Sequence, residues 1–193
     1  MPSPSSLVPA RSAVLSMDLQ AGIVSIYAKD QELMGRASNV LKHARRVGMV
    51  VIHVKVGFRP NLPEISSRNL LLGAIKASTK HQQLFDGAAG AIHPAVAPEA
   101  DDIVITKHRV SAFAGTELDL ILRARDIDTL VLFGIATSGV VLSTLLHAAD
   151  ADYRLLVVKD CCADLDQELH TNLIDRVFPR QATMLSAADF LGA

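Results

Sequence analysis

Short apolar runs alternate along the chain with stretches whose apolar positions recur at helical spacing. The runs at 13–17 (AVLSM), 49–56, 102–106 (DIVIT), 129–133 (TLVLF), 154–158 and 182–185 read as six strands. Helices are predicted between them. Over 30–47 the apolar positions Leu33, Val40, Leu41 and Ala44 fall on one face, and Gly48 stops the element. Further helices are predicted over 116–125, with Thr116 as its cap, and over 140–151, 165–178 and 187–191. From Gly57 to Ala100 the pattern degrades around Pro60, Pro63, Pro94 and Pro98, an irregular stretch expected to lie over a site as a lid.

Strands that alternate with helices imply parallel pairing, right-handed crossovers and a doubly wound α/β sheet with helices on both faces. Ligands of such sheets bind outside the carboxyl ends of the strands. That rule selects Asp18 after the first strand, Lys107 after the third, and the Gly134–Val140 turn after the fourth.

Composition narrows the function. At 50% hydrophobic and 20% charged, the 193 residues suit one water-soluble domain with a sizeable core. Residues 1–12, rich in Pro and Ser, read as a flexible tail and 13–193 as the domain. Nineteen basic against 20 acidic residues leave a net charge of -1, which disfavours a nucleic-acid partner. No run has the length of a membrane span or the form of a secretion signal, and the only two cysteines, Cys161 and Cys162, are adjacent and poorly placed to pair. A reducing cytoplasm is therefore the expected compartment.

The KxRxSAF run (Lys107, Arg109, Ser111, Ala112, Phe113) and the GIATSGVVLST run from Gly134 to Thr144 resemble the isochorismatase-like hydrolases. Asp18 followed by Leu19-Gln20, the HVKVGFRP segment from His53 and the FAGTELD segment from Phe113 extend the resemblance over nearly the whole domain. It implies a Rossmann-like strand order 3-2-1-4-5-6 and a catalytic Asp and Lys, matched by Asp18 and Lys107. In the family's cysteine hydrolase branch a nucleophilic Cys opens the helix after the glycine-led turn. Here that position is Val140, which cannot attack a carbonyl.

The resemblance also implies a cis peptide at Ile135–Ala136 and turn amides of Ala136 and Val140 that hold a substrate oxygen. Gln20, Phe113, Thr137 and Ser138 are expected as pocket residues, with Phe113 equally readable as core and Arg59 as a surface cation able to meet an acidic substrate. The chemistry that remains without sulfur is that of the isochorismatases, which cleave a vinyl ether with the Asp as acid before water attacks. An ordinary Asp, with a pKa near ~3.9, is about 0.1% protonated at pH 7, so burial would have to outweigh the nearby Lys charge.

Other residues invite weaker readings. Cys161 and Cys162 follow the fifth strand and read as small buried hydrophobes. Ser138 and Ser143 flank the empty thiol position, and either would need a base on its hydroxyl. The seven His are scattered with no HxxxH pair, no D-x-H follows strand one, and neither GxGxxG nor GxxxxGK[ST] occurs, so no metal and no cofactor are expected. Two main functions stay open: a hydrolase of a small, anionic molecule (vinyl ether, amide or ester), and a fold-retaining binding or assembly protein without turnover. A hydrolase using Ser138 or activated water is a third. A homo-oligomer, dimer or larger, is expected.

Overall fold

The computed structural model describes residues 7–192. Six strands form one parallel sheet in the order β3-β2-β1-β4-β5-β6. They are β1 (Ser12–Met17), β2 (Val50–Val56), β3 (Ile103–Lys107), β4 (Thr129–Gly134), β5 (Arg154–Val158) and β6 (Thr183–Leu185). The two central strands, β1 and β4, read as near-continuous apolar runs because the sheet is covered on both sides, and every residue of both is buried. The chain winds outward from β1 to β3, then crosses back to β4 beside β1 and winds the other way. With right-handed crossovers, that reversal puts the helices of the two halves on opposite faces.

The helices are α1 (Ala21–Tyr27), α2 (Leu33–Arg46), α3 (Leu70–Lys76), α4 (Thr79–Gln82), α5 (Leu118–Ala124), α6 (Leu142–Asp150), α7 (Gln167–Asn172) and α8 (Ala187–Leu191). None of the described helices is long and apolar enough to cross a membrane. Of the expected tail, residues 1–6 lie outside the described residues. Leu7 packs on the core, Pro9–Arg11 form a 3-10 turn, and Ser12 opens β1, its hydroxyl donating to the Val8 carbonyl at 2.8 Å.

The lid segment is more ordered than its prolines and glycines imply. Within it, α3 and α4 are each started by a side-chain cap: Asn69 accepts from the Leu72 amide and Ser78 from that of His81. Thr116 stands one residue before Glu117, which flanks the helix, and its Oγ1 accepts from the Leu118 N–H at 3.3 Å. The helix begins at Leu118, and the Thr116 hydroxyl donates to the Ala112 carbonyl at 2.6 Å. The helix expected over 165–178 breaks into α7, a π-helical turn at Leu173–Val177 and a 3-10 turn at Phe178–Arg180, where Pro179 has no N–H to continue the ladder. A second π-helical turn, Thr137–Val141, precedes α6 and lies at the sheet's reversal point.

Candidate active site

At the carboxyl end of β1 the backbone of Asp18 turns into the left-handed region, φ 55°, which Asp tolerates better than most residues. Its N–H still bonds to the Val54 carbonyl at 2.8 Å, so the chain leaves the sheet at a fixed point. Lys107, last residue of β3, lies two strands away. Its long side chain crosses the end of β2 and puts Nζ 2.9 Å from Asp18 Oδ2 and 3.0 Å from the Arg109 carbonyl, to which it donates. The side chains of Lys107 and Asp18 are 2% and 8% exposed, so the ion pair is sheltered from water.

That burial decides the state of Asp18. Desolvation pushes its carboxyl up from 3.8 to about 6, although the Lys107 charge and hydrogen bond pull it down. Lys107 occupies Oδ2, whereas Oδ1 is buried with no hydrogen-bond partner among the described residues. A proton on this carboxyl is therefore best carried on Oδ1, because Oδ2 is already receiving the Lys107 ammonium.

β4 ends against β1 at Gly134, where a Cβ would fall 2.1 Å from the Met17 carbonyl oxygen, so only glycine fits. The next peptide, Ile135–Ala136, is cis. Most amides of the following turn bond within the protein: Thr137 N–H to Ala163 O, Ser138 N–H to Asp164 Oδ2, and both Gly139 and Val141 N–H to Ala136 O. The Ala136 and Val140 amides are not among these commitments, and both residues line the cavity beside Asp18.

That cavity, of about 290 Å³, joins Asp18, Lys107, Ile135, Ala136 and Val140 to the lid residues Leu71, Leu72, Ile75, Leu84 and Phe85. Its polar groups are few, and most of its wall is aliphatic or aromatic. A larger depression of about 410 Å³ lies alongside and shares Val56, Phe58 and Phe85 with it. It holds Lys55, Arg59 and His108 but neither Asp18 nor Lys107, and the side chain of Arg59 is 65% exposed and pairs with Glu64. The smaller cavity is the one that holds the Asp18–Lys107 pair.

Four residues expected in the pocket lie elsewhere. Gln20 is fully buried as a brace: its amide donates to the Val56 and Gly90 carbonyls, and its Oε1 accepts from the Val56 N–H at 2.7 Å. Phe113 belongs to the core, its ring stacked on His147 at 4.5 Å. The Thr137 hydroxyl lies 2.8 Å from His170 Nδ1. Ser138 donates its hydroxyl to Asp164 Oδ2 at 2.7 Å and is not among the residues lining the cavity beside Asp18. Ser143 donates to the Gly139 carbonyl.

Cys161 and Cys162 are buried away from the cavity. Burial pushes the Cys162 thiol up to about 12 and raises that of Cys161 as well, so neither supplies a thiolate. Among the described residues no three His, Cys, Asp or Glu side chains cluster as metal ligands would. The lining residues that sequence reasoning missed include Tyr27, Phe58, His81 and Arg109. Of these Phe58 and Arg109 carried a signal, Phe58 lying in the HVKVGFRP segment and Arg109 standing two positions after Lys107 in the KxRxSAF run.

A parallel sheet of this order, with an Asp–Lys pair facing a glycine-led cis turn at its reversal point, defines an isochorismatase-like fold. The isochorismatase domain matches residues 12–189, and the chain belongs to that family. It is 33% identical over 186 residues to the uncharacterized isochorismatase family protein YecD of Escherichia coli O157:H7, covering 94% of this chain and 95% of that one. It is 31% identical over 141 residues to a maleamate amidohydrolase of Pseudomonas putida, covering 72% of this chain and 64% of the relative. An isochorismatase family protein from Burkholderia thailandensis superposes with a TM-score of 0.81 at 28% identity, over 96% of each chain.

Proposed function

We propose that the Asp18–Lys107 cavity is the active site of a hydrolase acting on a small, anionic organic molecule without a covalent thiol step. In this reading Asp18 Oδ1–H protonates the substrate, water adds to the activated carbon, and Lys107 stabilises the carboxylate left behind. The amides of Ala136 and Val140 hold the substrate oxygen. The observation that carries the reading is the condition of Asp18: buried, raised to about 6, held by Lys107 through one oxygen and unpartnered at the other. At pH 7 such a group is protonated in about a tenth of molecules, against about a thousandth for an ordinary Asp.

The bond cleaved is a vinyl ether, as a donor Asp favours, or an amide or ester, as the maleamate amidohydrolase likeness favours. Turnover of vinyl ethers, amides and esters by the protein and by Asp18→Asn tests the assignment. Loss of about 10²–10⁴-fold in kcat is expected for the variant. Turnover that survives it overturns the role of Asp18.

A second reading, a small-molecule-binding protein without turnover, is favoured by one observation: the side chain at the thiol position, Val140, is apolar, and Val140 is 2% exposed. Tight ligand binding with no turnover of any compound in the screen would establish it.

A further inference from the structure

Arg109 lines the mouth of the cavity, and its guanidinium is held in place by two neutral groups. Nη1 donates to the His108 carbonyl at 2.6 Å and Nη2 to the Glu64 carbonyl at 3.0 Å. No carboxylate lies within ion-pair distance of it among the described residues. The nearby Glu64 carboxylate is engaged by Arg59 and His108 instead. The other charged groups of the wall, Asp18 and Lys107, neutralise one another. With His81 neutral, Arg109 therefore gives the chamber a formal charge of +1, and a proton on either Asp18 or His81 only increases it. The rest of the wall is mostly apolar, with Ile23, Leu72, Ile75 and Phe85 among its residues, and Tyr27 and His81 add the phenol and imidazole.

A guanidinium with two donors anchored on carbonyls and its other N–H groups unspent is preorganised for a planar oxyanion. An apolar wall behind it rewards hydrocarbon and penalises a second charge. We infer that the site selects an organic monocarboxylate with an apolar body, its carboxylate on Arg109 at the mouth and its hydrocarbon against the lid helix α3 and the Leu84 and Phe85 side chains. This rests on the cavity reading above but not on any bond being cleaved.

The test is binding, measured by titration calorimetry, of straight-chain alkanoates from butanoate to octanoate and of the alcohols of matching length, which the protein cannot hydrolyse. Each alkanoate should bind at least about tenfold more tightly than its alcohol, as a charge-assisted bond to a preorganised guanidinium allows. Affinity should rise about fourfold per added methylene until the chamber is full. In Arg109→Gln the alkanoate-to-alcohol ratio should fall to near one, while Arg109→Lys, which keeps the charge and loses the fork, should keep a reduced preference.

Equal affinity for acid and alcohol, affinity that ignores chain length, an unchanged ratio in Arg109→Gln, or no binding by any member overturns the inference. A carboxylate preference that vanishes in Arg109→Gln, alongside turnover indifferent to Asp18→Asn, supports the inference and sinks only the catalytic reading. Turnover that depends on Asp18 without any carboxylate preference does the reverse.

Discussion

Asp164 Oδ2 accepts both the backbone N–H of Ser138, at 2.8 Å, and its hydroxyl, at 2.7 Å. This carboxylate sits between β5 and α7, so it ties the turn after β4 to the neighbouring crossover. A parallel tie runs from Thr137, whose N–H bonds to the Ala163 carbonyl and whose hydroxyl meets His170. The turn that would hold a substrate oxygen is thus clamped from behind by groups that never reach the cavity.

Breaking that clamp should cost stability in proportion to what is left unpaired. Asp164→Ala strands the Ser138 N–H and hydroxyl together and should lower unfolding stability by about 2–3 kcal/mol, whereas Ser138→Ala removes one hydroxyl bond and should cost about 1 kcal/mol. Denaturant unfolding of both variants measures this. Equal losses would mean that Asp164 does not act through Ser138.

The ends of β1 and β4 meet at Gly134, where there is no room for a side chain. Gly134→Ala must push the Met17 carbonyl aside or open the β1–β4 pairing, and should cost about 3 kcal/mol or more. Because Met17 precedes Asp18, turnover should fall further than the loss of folded protein explains. A Gly134→Ala protein with wild-type stability and activity would show that the two strand ends do not constrain the site.

How much of this was legible in the chain depends on where each signal lies. β5 and α8 fall where the pattern put them, because a buried strand and a short capped helix each advertise themselves locally. α1 was invisible: AGIVSIY mixes small and β-branched residues in too short a span to distinguish a helix from a strand. α3 and α4 were hidden by the prolines and glycines around them, although Asn69 and Ser78 were available as caps. Asp18 and Lys107 could be placed because both end strands. Gln20 misled because a polar residue beside a catalytic candidate looks like a substrate ligand, and nothing local shows that its amide is spent on Val56 and Gly90. The lid's contribution to the cavity needs the tertiary fold, since Leu72 and Asp18 meet only across it.

Asp18 makes stability and activity depend on pH in the same interval. Its pKa is raised on folding, so between about 3.8 and about 6 the folded protein keeps a proton that the unfolded chain has lost. The stabilisation this provides is complete below about 3.8 and is lost as pH rises through about 6. Relative to Asp18→Asn, the wild type should lose about 2 kcal/mol between about pH 4 and about pH 8, read from unfolding curves at the two values. As proton donor, Asp18 should also make kcat/KM fall about tenfold per pH unit above about 6. A rate that instead rises to a plateau would identify Asp18 as a base, and a stability difference that ignores pH would show its pKa to be ordinary.

Val140 provides the sharpest test of what the missing sulfur means, because its neighbours Ala136 and Gly139 line the same wall as Asp18. Val140→Cys is a small contraction in the core and should cost about 1 kcal/mol. Iodoacetamide should label the variant once per chain and leave the wild type untouched, since burial keeps Cys161 and Cys162 protonated and out of reach. If the turn amides are aimed as proposed, amide hydrolysis should exceed that of the wild type by at least about tenfold, with Asp18 now taking the thiol proton. A variant that is alkylated but does not hydrolyse amides would show that the turn does not hold a substrate oxygen, and the hydrolase reading would lose its oxyanion site with it.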